Sequence, residues 1–367
     1  MGTETPAVQA SCPTSHNRKT VPRYGDGIQE YHTLGGYMTS LYITESGTYL
    51  HKKGGHVIIG RNNEVLLEVP IERLEDVTLI DSVHVSSALL TEFLERNIPM
   101  SWMSGMGRFY GSLISNTSID VLKHQKQFEL LQHNNFYFDI AKKVVFAKIH
   151  NQLTVLRRYN RNINSSKVES NIKNILAVRK NVFRTNDYRE LMGYEGIISR
   201  IYFDALGDVV TEPFKFEKRT KRPPRDPVNS MLSLGYSMLF NEILNAVIST
   251  GLHPYVGFLH RIAKGHPALV SDLMEEWRAV LIDSLVMAII KRNMISYEMF
   301  EINDQGCFLN SEARKIFLST YNKKLRSVNQ YLDGKYTFRE SIKQQCRKYA
   351  SALMNEDVEL YIPVELR

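Results

Sequence analysis

From residue 37 the chain alternates apolar and polar side chains over short stretches. Ser40-Leu41-Tyr42-Ile43-Thr44, Thr48-Tyr49-Leu50, His56-Val57-Ile58-Ile59 and Glu64-Val65-Leu66-Leu67-Glu68-Val69 follow this pattern. Between them stand Ser46-Gly47, Gly54-Gly55 and Asn62-Asn63, residue types that tolerate the backbone angles of turns. Alternation bounded by turn residues predicts strands, because successive side chains of a strand face opposite ways. Val77-Thr78-Leu79-Ile80 and Pro99-Met100-Ser101-Trp102-Met103 predict two more, with a helix over 86–96 between them. This texture ends near Ser115.

Beyond residue 116 the apolar spacing lengthens. Leu122, Phe128, Leu131, Ile140, Val144 and Ile149 fit three- and four-residue steps, which predicts helix over 119–160. The same spacing predicts helices over 168–183, 188–206, 227–250, 269–293, 311–332 and 337–354. No internal repeat is present. The expected fold class is therefore α+β: a small strand-rich N-terminal domain over 34–115, then a larger all-α domain over 116–367. Residues 1–33, rich in Pro, Thr, Ser and Gly, predict a disordered tail. Cys12 and His16 fall in that tail and read as solvated residues, not as metal ligands.

Composition narrows the function. The 367 residues are 43% hydrophobic and 23% charged, enough to bury a core without cross-links. A formal net charge of +7 favours an anionic partner, most often nucleic acid. Cys12, Cys307 and Cys346 form no CxxC pair, which argues against a disulfide framework or zinc ribbon and fits a reducing cytoplasm. The first thirty-odd residues lack an apolar leader, and the apolar run 279–290 is short and broken by Asp283. The expectation is a soluble cytoplasmic protein with no membrane partner. No GxxxxGK[ST], GxSxG or HExxH occurs, which removes the phosphate-loop, nucleophile-elbow and zincin readings.

Charge concentrates in one linker. Over 215–225, six of eleven residues (Lys215, Lys218, Arg219, Lys221, Arg222 and Arg225) are basic and one is acidic. Like charges at this density repel, and Pro223-Pro224 blocks helix, so an extended, exposed loop is expected. In a basic chain such a loop suits phosphate contact.

The candidate chemistry lies in acids and imidazoles on apolar surfaces. Helical spacing groups Glu195 with Leu191, Ile198 and Tyr202 on an inward face. A carboxylate there must be ion-paired or metal-bound. Gly193 and Gly196 flank it, poor helix formers that would leave room for a close approach. His260 ends an apolar run, where a hydrogen-bonded core imidazole is the commoner outcome than a ligand. Asp272 and Glu275 share a face at the start of a helix, where acids also complement the helix dipole. Taken together, Glu195, His260 and Glu275 come from three helical regions, the way metal sites are assembled between helices. Mixed carboxylate and imidazole donors suit Mg²⁺ or Mn²⁺ first and zinc second.

Four segments carry a family resemblance: Gly193-Tyr194-Glu195-Gly196, Arg222-Pro223-Pro224-Arg225-Asp226-Pro227-Val228-Asn229, Gly257-Phe258-Leu259-His260 and Asp272-Leu273-Met274-Glu275-Glu276-Trp277-Arg278. In order and spacing this set resembles the CRISPR-associated integrase, the spacer-acquisition family, from about Gly35 to the C-terminus. The resemblance implies that Glu195, His260 and Glu275 bind a divalent metal, with Asp272 an accessory acid. Glu275 stands where the family often has Asp. Asp226 and Asn229 would support the site, and His253, where many relatives carry Asp, is not promoted to a ligand. The implied activity joins 3′-hydroxyl ends of captured double-stranded DNA into a CRISPR repeat. The implied partners are a second copy of the chain and the small second CRISPR-associated adaptation protein. A metal-dependent nuclease without joining, and a non-catalytic architectural DNA-binding protein, are the alternatives.

Overall fold

The computed structural model describes residues 28–30, 39–132, 134–332 and 334–366. Of the expected tail, residues 1–27 and 31–33, with Cys12 and His16, lie outside the described residues, whereas Ile28–Glu30 forms a short strand, β1. Eight further strands follow: β2 (Thr39–Ile43), β3 (Tyr49–Lys53), β4 (His56–Arg61), β5 (Glu64–Pro70), β6 (Leu74–Ile80), β7 (His84–Val85), β8 (Met100–Met103) and β9 (Phe109–Leu113). Helix α1 (Ser87–Glu95) sits between β7 and β8. They make a five-stranded sheet ordered β1-β2-β6-β8-β9 and a four-stranded sheet ordered β5-β4-β3-β7.

Side-chain alternation then divides the five-stranded sheet between two cores. Leu41, Ile43, Val77, Leu79 and Met100 point toward the second sheet and join Leu50, Val57, Ile59 and Phe93 in a small core. Tyr42, Ile80 and Met103, one residue out of phase, point the other way into the large helical core. A one-residue register slip would exchange the two sets.

The helical part comprises α2 (Val121–Leu130), α3 (Asn134–Ile163), α4 (Ser166–Arg184), α5 (Tyr188–Asp208), α6 (Pro227–Ser249), α7 (Ala268–Trp277), α8 (Ser284–Lys291), α9 (Ser311–Arg326) and α10 (Phe338–Asn355). Ser165, Asp187, Asp226, Asn310 and Thr337 cap α4, α5, α6, α9 and α10 by accepting a backbone N–H of the first turn. By length and composition α6 could cross a bilayer, but 67% of its apolar window is buried inside the fold.

Three departures from the sequence reading matter. The helical part is not all-α: it holds two hairpins, β10 (Phe300–Asn303) with β11 (Gly306–Leu309), and β12 (Val328–Tyr331) with β13 (Gly334–Thr337). The helix expected over 311–332 therefore stops at the Ser327 cap. The run expected as one helix over 269–293 widens at Arg278–Asp283 into i→i+5 pairing between α7 and α8.

The two parts are tied by Arg339 of α10, which is 3% exposed. Its guanidinium lies 2.8 Å from Glu75, 2.9 Å from Asp76 and 2.8 Å from Glu242 of α6, and bonds the Ser40 hydroxyl. One cation thus holds residues of β2, β6, α6 and α10 together.

Candidate metal and DNA cleft

A cleft of about 570 Å³ opens between α3, α5, α6 and the middle of the α7–α8 run. Glu195, His260 and Glu275 all line it, together with Lys218, Arg219 and Lys221 of the basic linker. Leu191, Ile198 and Tyr202 are buried as the helical spacing requires, with Glu195 at the edge of that face. Gly193 and Gly196 face open space.

The centre of the cleft is a cation. Lys148 of α3 is 6% exposed. Its ammonium donates to Glu195 Oε1 and lies 2.7 Å from Glu275 Oε2. Ser199 Oγ also donates to Glu195 Oε1, at 2.8 Å. On the far side Arg278 Nε lies 3.2 Å from Glu275 Oε1. Burial alone would raise the Glu275 pKa, but Arg278 and Lys148 override it and hold the carboxyl at about 2.

His260 is oriented from behind. Asp272, fully buried, accepts the backbone N–H groups of Phe258 (2.6 Å), Leu259 (2.9 Å) and His260 (2.9 Å). The same carboxylate takes the imidazole Nδ1 at 2.6 Å. An ionised carboxylate only accepts, so Nδ1 carries the proton and Nε2 is the nitrogen left for a ligand. Burial pulls the imidazole pKa down, and the Asp272 hydrogen bond and charge carry it above its ordinary value. Gly257 makes this possible: a Cβ there would strike Asp272 Oδ2 and lie 2.8 Å from Ala268. Tyr188 Oη, bonded to the carbonyls of Phe258 (2.8 Å) and Leu259, pins the loop from α5.

The linker is less free than its charge suggested. Phe214, Phe216 and Pro224 are buried, and the β10–β11 turn closes over the proline pair through Cys307 N–H to Pro224 O at 2.9 Å. Gly306, at φ +139°, lies where a Cβ would meet Pro223 and Pro224 at 2.8 Å. Asp226 caps Asn229 (2.8 Å to its N–H, 2.6 Å to its amide nitrogen). Fully buried Asn229 in turn bonds the Lys218 carbonyl (2.8 Å), the Thr220 N–H (3.0 Å) and the Arg219 guanidinium (2.8 Å). Asp226 and Asn229 thus reach the cleft through Arg219. Lys215, Arg222 and Arg225 are exposed outside its lining.

Sequence reasoning passed over Lys148, Tyr236 and Asp283. Tyr236 stands between Arg219 and Arg278, whose guanidinium carbons lie 5.3 and 4.8 Å from its ring centre. Its hydroxyl donates to Asp283 at 2.5 Å, as does Tyr202 at 2.7 Å. Burial pushes the Asp283 carboxyl up to about 6 against the pull of these tyrosines and arginines. The widened turn is what brings Arg278 and Asp283 to one side, since residues five apart align in that geometry and not in an α-helix. His253, by contrast, packs against His124, Phe128 and Tyr255 and does not line the cleft.

Among the described residues no three His, Cys, Asp or Glu side chains converge as they stand on one ion position. The donors nonetheless fit a hard divalent cation. Two carboxylates lie one ammonium apart, an imidazole shares their cleft, and the buried Glu275 Oε2 has an ionic neighbour but no directed hydrogen bond.

Residues 41–323 match the family described as CRISPR associated protein Cas1. The chain belongs to that family. It is 32% identical to a CRISPR-associated endonuclease Cas1 of Thermus thermophilus, over 88% of this chain and 96% of the relative. Among solved structures, a Cas1 protein from Thermotoga maritima superposes with a TM-score of 0.74 at 22% identity, covering 86% of this chain and 97% of that one. A chain of a Cas6-RT-Cas1–Cas2 complex superposes with a TM-score of 0.79 at 24% identity; the match covers 92% of this Cas1 chain but only 37% of that longer chain. The strand-rich region followed by a mostly helical one is thus the Cas1 fold.

Proposed function

We propose that this Cas1 protein is a divalent-metal-dependent DNA integrase and endonuclease of CRISPR adaptation. The observation that carries the reading is the meeting of Glu195, Glu275 and the Asp272-oriented His260 in one cleft walled by linker cations. The name of the Thermus relative, an endonuclease, supports the nuclease half. Glu195, His260 Nε2 and Glu275 would hold Mg²⁺ or Mn²⁺, which supplies Lewis acidity toward a phosphodiester.

The chain's own groups do the rest. Asp272 fixes the imidazole tautomer and its direction. Lys218, Arg219, Lys221 and Arg278 draw the DNA backbone into the cleft and offset charge on the reacting phosphate. Lys215, Arg222 and Arg225 extend the phosphate track outside it. In the joining reaction a 3′-oxygen forms a new bond to phosphorus, the old P–O3′ bond breaks, and the proton of the attacking hydroxyl ends on the departing oxygen. One diester replaces another, so no nucleotide cofactor is consumed. Water as nucleophile gives cleavage. Family membership supports a homodimer formed largely through the strand-rich part, and assembly with the small second adaptation protein on double-stranded DNA.

The test incubates the protein and that small partner with a short duplex and a repeat-bearing plasmid in Mn²⁺ or Mg²⁺. Joined products are expected, and Glu195→Ala, His260→Ala and Glu275→Ala should each lower them roughly a hundredfold to a thousandfold. Cleavage without joining reduces the reading to a nuclease. Products untouched by all three substitutions reduce it to an architectural DNA-binding protein.

A further inference from the structure

We propose that Lys148 couples metal uptake to DNA binding: its ammonium occupies the space between Glu195 and Glu275 until a DNA phosphate draws it away. The inference rests on the metal-site reading above and deepens it. Lys148 is 6% exposed, yet it engages both carboxylates at once. An ammonium and a divalent cation cannot share those two carboxylates at contact distance, because like charges so close repel strongly in a low-dielectric cleft. Metal entry therefore requires the lysine to leave.

The two arginines nearest Glu275 and Tyr236 have partners that Lys148 lacks. Arg219 is bonded to Asn229 (2.8 Å) and Ser233 (3.1 Å), and Arg278 lies against Tyr236 (4.8 Å) and Glu275 (3.2 Å). Among the described residues the partners of the Lys148 ammonium are the two acids, and it has a flexible four-carbon stem with the cleft in front of it. A buried ammonium that loses its partners is costly unless another anion replaces them. In the cleft the incoming anion is a phosphate. Once Lys148 turns to it, Glu195 and Glu275 are free for the metal, so each ligand strengthens binding of the other by the same factor.

The test measures Mn²⁺ affinity of the full chain by electron paramagnetic resonance of free Mn²⁺, with and without a short duplex, after subtracting Mn²⁺ bound by the duplex alone. Wild type should bind Mn²⁺ at least tenfold more tightly with DNA. Lys148→Met should bind it at least tenfold more tightly than wild type without DNA, and should gain less than twofold on adding DNA. Lys148→Arg, which keeps the charge, should retain the wild-type coupling. If Lys148→Met does not fold by circular dichroism, Lys148→Gln replaces it, and the wild-type pair of measurements alone remains decisive. Equal wild-type affinity with and without DNA overturns the proposal. So does a single Mn²⁺ site, abolished by Glu275→Gln, whose affinity ignores Lys148→Met; the metal site then stands without the gate. Absence of Mn²⁺ binding in every protein and condition overturns both.

Discussion

Glu275 and Glu276 are neighbours on α7, 5% and 0% exposed, and their environments drive them in opposite directions. Glu275 faces the cleft, with Arg278 and Lys148 against it, and burial loses to those cations. Glu276 lies away from the cleft lining, and its hydrogen-bond donors among the described residues are neutral: Tyr361 Oη at 2.5 Å, Val364 N–H at 2.7 Å and the Gln345 side chain. There burial wins, against the pull of those hydrogen bonds, and pushes the carboxyl up to about 8. Equal burial therefore says little about role. What separates these two carboxylates is whether their partners are charged and whether a cavity lies beyond them.

The largest expected effect is on the structural side. Because the folded pKa of Glu276 is raised, its contribution to stability is complete below about pH 4.5 and is lost as pH rises through about 8. Glu276→Gln removes that titration. The stability difference between variant and wild type, read from urea midpoints, should shift toward the variant by on the order of 4 kcal/mol between pH 5 and pH 9. A difference that stays constant over this range would mean that Glu276 is ionised throughout, and the contrast with Glu275 would collapse.

An intermediate effect is expected behind the cleft. Gly257→Ala should displace Asp272 and misdirect His260, lowering DNA product formation roughly tenfold to a hundredfold. The readout is product yield at fixed protein, with the melting temperature measured alongside. A drop in melting temperature with full yield per folded molecule would place Gly257 on the structural side.

The smallest effect separates cations inside the cleft from those outside. Lys215→Ala should lower the slope of log affinity against log salt for duplex DNA by about 1, with no change in joining at saturating DNA. Lys221→Ala, on the lining, should lower both. If the two variants behave alike, the boundary drawn at the cleft wall is wrong.

How much of this was legible in the sequence differs residue by residue. Period-two alternation placed Leu41 and Ile43 opposite Tyr42 because a strand leaves no other choice. The period near 3.6 put Glu195 beside Leu191 and Ile198 for the same reason. The hairpins β10–β11 and β12–β13 escaped because four-residue strands carry too few positions to show a period, although Asp333-Gly334 was a turn signal. The widened turn at Arg278–Asp283 escaped because its apolar residues fit an α-helix equally well, so Asp283 read as an interruption. Lys148 was hidden in a basic helix. Its one signal was a position four residues from Val144, on the buried stripe that continues to Asn151 and Val155. The linker misled because charge predicted exposure for the whole run, while Phe214, Phe216 and Pro224 anchor it.

Arg339 has a mechanical consequence. Its three carboxylate partners belong to β6 and α6, and α6 also presents Tyr236 to the cleft. A load applied to the strand-rich half therefore reaches the helix that presents Tyr236 to the cleft through this guanidinium, with the Asn241 to Thr78 hydrogen bond and the Phe109–Phe240 ring contact beside it.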